Sequence, residues 1–254
     1  MKEVLQYTLY KLTPHMLLPE KHDRVIRYHS VGGSNYANIS TERFRADVEY
    51  FKKHYELVDL PDVLENRDSK QLALTFDDGY LDFKENVVPV IDEFDIPATV
   101  FVVTDPVFRP NKSAKGTNIS DFCIHMGRAD IEAIIDNERI HIGNHTKSHP
   151  QLTQCSDEEL LDEIVNAKIE LEEEFDIVVD RFCYPHGDFN DTVVSIVRDT
   201  HKYAVKASGA NEIISGDTDP AQIPRVDGAN EQWKTRWQVS DSYLYLRSLH
   251  QKLP

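Results

Sequence analysis

Residues 72–103 read LALTFDDGYLDFKENVVPVIDEFDIPATVFVV, and the fold turns on how this stretch is parsed. Residues 72–76 are apolar or β-branched and end on Asp77-Asp78-Gly79, a turn sequence. Residues 80–94 carry apolar side chains at helical spacing, and residues 98–103 form a second β-branched run. A strand, a helix and another strand in succession make a βαβ unit, whose strands lie parallel. The alternation continues on both sides. Residues 25–28 read as a short strand and 41–55 as a helix with Phe44, Val48 and Phe51 along one side. Downstream, 131–137 reads as helix, 139–142 as strand, 181–184 as strand, 191–200 as helix and 203–205 as strand.

The clearest helix spans 157–175. Ser156 and Glu159 have the spacing of a capping box, and Leu161, Ile164, Lys168, Leu171 and Phe175 fall on one stripe. Such repeated alternation predicts an α/β protein with a parallel sheet or barrel, in which the loops after the strands carry the chemistry. No linker or repeat divides the chain. Residues 24–229 read as one domain, preceded by an N-terminal extension (1–23) with helical character and followed by a helical tail (230–254) packed on it.

Composition narrows the function. The 254 residues include 28 Lys and Arg against 44 Asp and Glu, a net charge of −16, and there is no segregated basic patch. That field repels phosphate backbones, so nucleic acid is excluded as a partner. Cys123, Cys155 and Cys183 show no CxxC spacing, which argues against a disulfide framework or a thiolate zinc site. No apolar run approaches the length of a membrane span. The first 24 residues are interrupted by Gln6, Lys11, Pro14 and His15, so a cytoplasmic protein is expected.

Three segments contain residues that apolar packing does not explain, each after an expected strand. In Thr75-Phe76-Asp77-Asp78-Gly79 two adjacent carboxylates close a buried strand, which is costly without a cation nearby. A turn in which Asp78 caps the next helix is the plain alternative. In Gly143-Asn144-His145-Thr146-Lys147-Ser148-His149 the two histidines are four apart, so on a helical turn both imidazoles share a face. Gly143 would permit a tight turn there, and His141 falls within the strand. Taken alone, such a pair also fits polar surface. Tyr184-Pro185-His186-Gly187-Asp188 closes a strand with a turn whose free N–H groups suit an oxyanion, or with a turn and nothing more. Together, Asp78, His145 and His149 would form a two-histidine, one-carboxylate site for a divalent metal, with positions open for water and substrate. Asp77, beside it, could take the proton of the activated water. This is machinery for hydrolysing an amide or ester.

TFDDG, HTKSH in its GNH context and YPHGDFN, in this order, resemble the polysaccharide deacetylase family, the NodB-homology group or carbohydrate esterase family 4. The likeness extends to RYHSV at 27–31, IPATVF at 96–101 and Leu152-Thr153, and covers residues 24–206. The resemblance implies a distorted (β/α) barrel, usually seven-stranded. It implies a hydrolase that removes the N-acetyl group from an amino sugar of a glycan or glycan precursor. Asp77 would then be the general base, and Asp78, His145 and His149 would hold one divalent metal, with zinc first and cobalt, nickel or iron as alternatives. The backbone N–H of His186 would face the oxyanion, and His29, Tyr184 and His186 would line the substrate pocket.

The family often places an arginine, paired with the base, where this chain has Cys183. Arg181, on the same strand face, and Arg225, in Ile223-Pro224-Arg225-Val226-Asp227, are the candidates to replace it. The family's late histidine, often the general acid, has no clear counterpart; His250 lies in the tail. Two other readings keep the same residues: hydrolysis of another amide or cyclic imide, and a catalytically silent sugar-binding domain.

Overall fold

A computed structural model describes residues 7–8, 22–65, 70–109 and 124–251, with side chains up to Leu246. Most of the expected N-terminal helical extension, and Cys123, lie outside these residues. The described strands are β1 (Arg24–Tyr28), β2 (Glu56–Val58), β3 (Gln71–Phe76), β4 (Ala98–Val102), β5 (Ile140–Asn144), β6 (Arg181–Cys183), β7 (Tyr203–Val205) and β8 (Val226–Asp227). All pair in parallel, in the order β7-β6-β5-β4-β3-β1-β8. The short β2 lies off this path and pairs with the first half of β3, while β4 pairs with Thr75 and Phe76 beyond it.

The curled sheet is a distorted (β/α) barrel of the NodB type, and one short segment joins its edges. Ile223 bridges Val205 on β7, and three residues later Val226 pairs with Ile26 on β1. Residues 223–227 thus carry Arg225 across the gap between the last strand and the first.

Strand alternation sorts side chains into two layers. Ile26, Tyr28, Leu72, Leu74, Phe76, Val100, Val102 and Ile142 face outward and form the larger core with the surrounding helices. One of these is Thr41–His54, capped by Ser40, which contributes Phe44, Val48 and Phe51. Val25, Ala73, Phe101, Cys183, Val205 and Ile223 face inward and fill the barrel. Phe101 occupies its middle because β5 has glycine opposite: a Cβ on Gly143 would overlap the Phe101 ring. Gly143 therefore serves space within an extended strand rather than a turn.

The helix expected over 157–175 is interrupted. Asp157–Leu160 and Ala167–Phe175 are α-helical, and Leu161–Asn166 between them is a π-helical turn. Its start is the expected capping box, with the Ser156 N–H donating to Glu159 (2.7 Å) and the Glu159 N–H to Ser156 Oγ (3.4 Å). The buried stripe, however, runs through Leu160, Ile164, Ala167 and Leu171, and Leu161 is 51% exposed. This register brings the small Ala167 against the core and leaves Lys168 free to pair with Glu172.

At the other end of the chain, Gln232–Val239 and Asp241–Gln251 are helices. The first docks on Thr41–His54, with Arg236 donating to the Ala46 carbonyl (2.8 Å) and Tyr55 to the Val239 carbonyl (2.8 Å). Trp233, Trp237 and Tyr243 pack on one another, and Trp233 also meets the Tyr7 ring edge-on. His250 lies in the last helix, and its side chain is outside the described set.

Candidate active site

The C-terminal ends of β1, β3, β5 and β6 open into a cleft of about 350 Å³. Asp77 and Asp78 follow β3, His29 follows β1, and His145 follows β5; all four, with His149, line the cleft. Each is largely buried, so their polar groups must find partners within the protein or in a ligand.

Asp78, His145 and His149 converge. Asp78 Oδ1 lies 3.5 Å from Nε2 of His145 and 3.5 Å from Nε2 of His149. Tetrahedral zinc, with bonds of about 2.0–2.1 Å, sets neighbouring ligand atoms about 3.4 Å apart, so both Asp78–imidazole separations fit neighbouring ligands of such a site, and the three atoms lie within 4.8 Å of one another. The tautomers agree with that fit. Nδ1 of His145 donates to the Cys183 carbonyl (2.8 Å), so Nε2 is the nitrogen turned to Asp78, where a proton in the metal-free protein and a metal ion would compete for one lone pair. Burial, with the neighbouring His145, pushes the His149 pKa down to about 3, so its imidazole is neutral near pH 7. Burial alone would raise Asp78, but hydrogen bonding and charge from His145 hold it well below the usual carboxylate range.

The loop that carries the histidines is not the helical turn their spacing predicted. Residues 145–150 are irregular, and Thr146 (φ 69°) and His149 (φ 61°) are left-handed. Asp78 (φ 72°) and His186 (φ 58°) share this conformation. Four of the seven described non-glycine residues with positive φ thus sit in one site, where such strain must be held by the surroundings.

Asp77 is gripped by Arg225. Nη1 and Nη2 of the guanidinium each donate to one carboxylate oxygen at 2.7 Å. Its other donors reach Thr75 Oγ1 (3.1 Å), Cys183 Sγ (3.1 Å) and the Lys206 carbonyl (2.6 Å), so all five N–H groups are engaged. Beneath it lies the Phe101 ring, 5.9 Å from the guanidinium carbon. Burial alone would raise the Asp77 carboxyl, but the Arg225 charge and hydrogen bonds outweigh it and hold the group well below the usual range.

Arg181 does not take part. It faces the barrel interior as alternation predicted, but it enters one turn of the pleat earlier than Cys183, nearer the base of the barrel. There it pairs with Asp59 and donates to Thr99 Oγ1 (2.7 Å). His141 is beside the same Asp59, with Nε2 3.4 Å away.

Tyr184 borders the cleft, but its hydroxyl turns away and donates to the Ala221 carbonyl (2.8 Å), deep among Phe182 and Phe189. It therefore offers no polar group to a ligand. The His186 ring is exposed and packs edge-on against His149 with centroids 4.4 Å apart. His29 is buried, with Nε2 4.0 Å from Asp77 Oδ2 and, among the described residues, no hydrogen-bond partner at Nδ1. The exposed Tyr36 meets the His29 ring edge-on.

Two features escaped the sequence. Asp82 holds the His29–Tyr36 loop, accepting from Ser30 Oγ (2.7 Å), the Val31 N–H (3.0 Å) and Asn35 (3.0 Å). Arg27 and Tyr80 also line the cleft, and Arg27 pairs across strands with Asp227 at 3.0 Å. The only sequence signal for these was proximity: Arg27 lies in RYHSV, and Tyr80 and Asp82 follow TFDDG.

The curled parallel sheet, with acidic and imidazole groups gathered at its strand ends, has the architecture of NodB-type domains. Residues 65–205, more than half of the chain, match the polysaccharide deacetylase family, and the chain belongs to it. YxkH of Bacillus subtilis (strain 168), whose name also includes polysaccharide deacetylase, is 20% identical over 183 residues. The match covers 69% of this chain and 61% of that relative. Among solved structures, IcaB from Ammonifex degensii superposes with a TM-score of 0.73 at 20% identity, over 87% of this chain and 98% of its own. The Streptococcus pyogenes deacetylase PplD, solved with acetate, gives 0.71 at 19% identity, over 87% and 99%. At these identities the structures share the fold.

Proposed function

We propose that this chain is a metal-dependent hydrolase that removes the N-acetyl group from an amino sugar, in a glycan or a glycan precursor. Asp78, His145 and His149 would hold one divalent ion, with zinc the simplest choice for two imidazoles and a carboxylate. When bound, such an ion supplies a Lewis acid and lowers the pKa of coordinated water. Asp77, ionised and oriented by Arg225, accepts the proton of the attacking water. The backbone N–H of His186 donates to the oxygen that gains charge as the acetamide carbonyl is attacked. Breakage of the C–N bond releases acetate, and the sugar nitrogen leaves as an amine carrying the transferred proton. His29 and Tyr36 border the cleft where the sugar ring would rest.

The observation that carries this reading is the convergence of Asp78 on both imidazoles beside an arginine-held Asp77, in a member of the polysaccharide deacetylase family. The test is acetate release from N-acetylglucosamine oligomers, from the free sugar and from cyclic imides, with zinc supplied. Release from the acetylated sugars that Asp77→Asn abolishes is expected. Selective turnover of imides would favour the alternative hydrolase. No turnover of any of them, with zinc bound, would favour a silent sugar-binding domain.

A further inference from the structure

The loop that presents His145 and His149 is held from behind by groups that touch neither Asp77 nor Asp78. Asn144, the last residue of β5, is fully buried, and both N–H groups and the oxygen of its amide are engaged. Nδ2 donates to the Ile164 carbonyl (2.8 Å) and to Nε2 of His201 (3.2 Å), while Oδ1 accepts from the Thr146 N–H (2.9 Å). Thr146, in its left-handed conformation, then accepts the His149 N–H on Oγ1 (3.0 Å).

His201 is one of three partners that fix which way that amide faces, beside the Ile164 carbonyl and the Thr146 N–H. The Thr200 hydroxyl donates to the Ile196 carbonyl (2.8 Å), so Thr200 Oγ1 accepts the Nδ1 proton of His201 (2.9 Å). This leaves Nε2 of His201 as an acceptor, which only the NH₂ side of Asn144 can satisfy. Burial pushes the His201 pKa down to about 3, so the acceptor persists across the working pH range. The second acceptor comes from the π-helical turn Leu161–Asn166, a rare geometry that recurs at functional sites. From the same turn the Glu163 carbonyl accepts the Lys147 N–H (3.1 Å), and its carboxylate accepts the Ser148 N–H (2.8 Å) and hydroxyl (2.6 Å).

We propose that His201 is a positioning residue for the metal loop, orienting Asn144 so that Thr146 and His149 hold the geometry the ion needs. This rests on the reading of Asp78, His145 and His149 as metal ligands. Outer residues that orient ligands typically alter metal affinity by about 10–100-fold when removed.

The test compares wild type, His201→Leu, His201→Gln and Thr146→Val by zinc competition against a chelator, with the melting temperature of each metal-free protein. Gln can return an acceptor near the position of Nε2. His201→Leu and Thr146→Val should each lose zinc affinity about tenfold or more, while His201→Gln stays within about threefold of wild type. Wild-type affinity in His201→Leu, or equal losses in Leu and Gln, would overturn the proposal. Should His201→Leu not fold, wild-type zinc binding by Thr146→Val would overturn it, and a Thr146→Val loss with Gln retained would sustain it. Absence of zinc binding by the wild type itself would instead overturn the metal reading on which the proposal stands.

Discussion

Arg225 and Asp77 are 148 positions apart and meet through two hydrogen bonds of 2.7 Å, with the arginine 1% and the aspartate 4% exposed. The pairing exists because residues 223–227 join β7 to β1, from where the Arg225 side chain reaches Thr75 and Asp77 at the end of β3. Cys183 occupies a neighbouring inward position on β6, and its small side chain leaves room for a guanidinium from another element. The closure of the barrel and the charge state of Asp77 are therefore one feature.

Replacing Arg225 by Met should strip Asp77 of its counter-charge and leave a buried carboxylate alone. A cost of about 3–5 kcal/mol at pH 7 follows. In the wild type the folded carboxyl titrates below its unfolded value of about 3.9, so its stabilisation is complete above that pH and lost only as pH falls through the lower folded value. In Arg225→Met, the largest opposition to burial is gone and only the nearby His145 and His29 remain to counter it, so the carboxyl rises and protonation relieves the penalty. Urea unfolding of metal-free protein should show a wild-type advantage that is full near pH 7 and begins to shrink as pH falls through the variant's raised carboxyl range, already above the unfolded value of about 3.9. An advantage independent of pH would contradict the pairing as the source.

Gly143→Ala tests the packing beneath that pair. The added methyl would overlap the Phe101 ring, on which Arg225 rests. Overpacking of this kind costs about 1–3 kcal/mol. Phe101→Leu in the same chain should recover part of the loss, so the double variant should be more stable than the sum of the two single changes predicts. Strict additivity in a urea series would show that the two side chains do not compete for the same space.

The α/β class was legible because strands such as 72–76 and 98–103 are continuous apolar runs bounded by turn residues, a local signal. The clustered Asp77, Asp78, His145 and His149 were legible for a similar reason: each lies just after such a strand, and a parallel barrel gathers those ends. What was not legible depends on contacts between distant segments. Arg181 and Arg225 were equivalent candidates, and only the depth of each along the barrel separates them. Leu161 fits a regular helical stripe and is nonetheless exposed, because the helix packs in the register of Leu160, Ile164, Ala167 and Leu171. The histidine pair has helical spacing, yet its loop is shaped by Asn144 and Glu163 rather than by its own periodicity.

Tyr184 separates lining a cleft from serving it. Its hydroxyl is spent on the Ala221 carbonyl, so Tyr184→Phe should leave that buried carbonyl short of a partner at a cost of about 1–3 kcal/mol. The KM for an acetylated sugar should not change. A KM raised severalfold with stability intact would show that the hydroxyl reaches substrate.

Elemental analysis gives the most direct check on the ligand trio. Purified wild type should hold close to one divalent ion per chain, and His149→Ala should lose most of it. Binding should also weaken as pH falls, since protons compete for imidazole lone pairs. The two histidines differ in this respect. Burial and the neighbouring imidazole push His149 down to about 3. For His145 burial acts downward too, but contacts with Cys183 and the Asp78 and Asp77 carboxylates prevail and raise it well above its ordinary value. His145 is thus the ligand at which a proton and the ion exclude one another near neutral pH. A zinc titration from about pH 8 to pH 5.5 should show affinity falling with roughly one proton taken up per ion released, consistent with the reference histidine range. Affinity that stays flat across this range would place the ion on ligands other than these imidazoles.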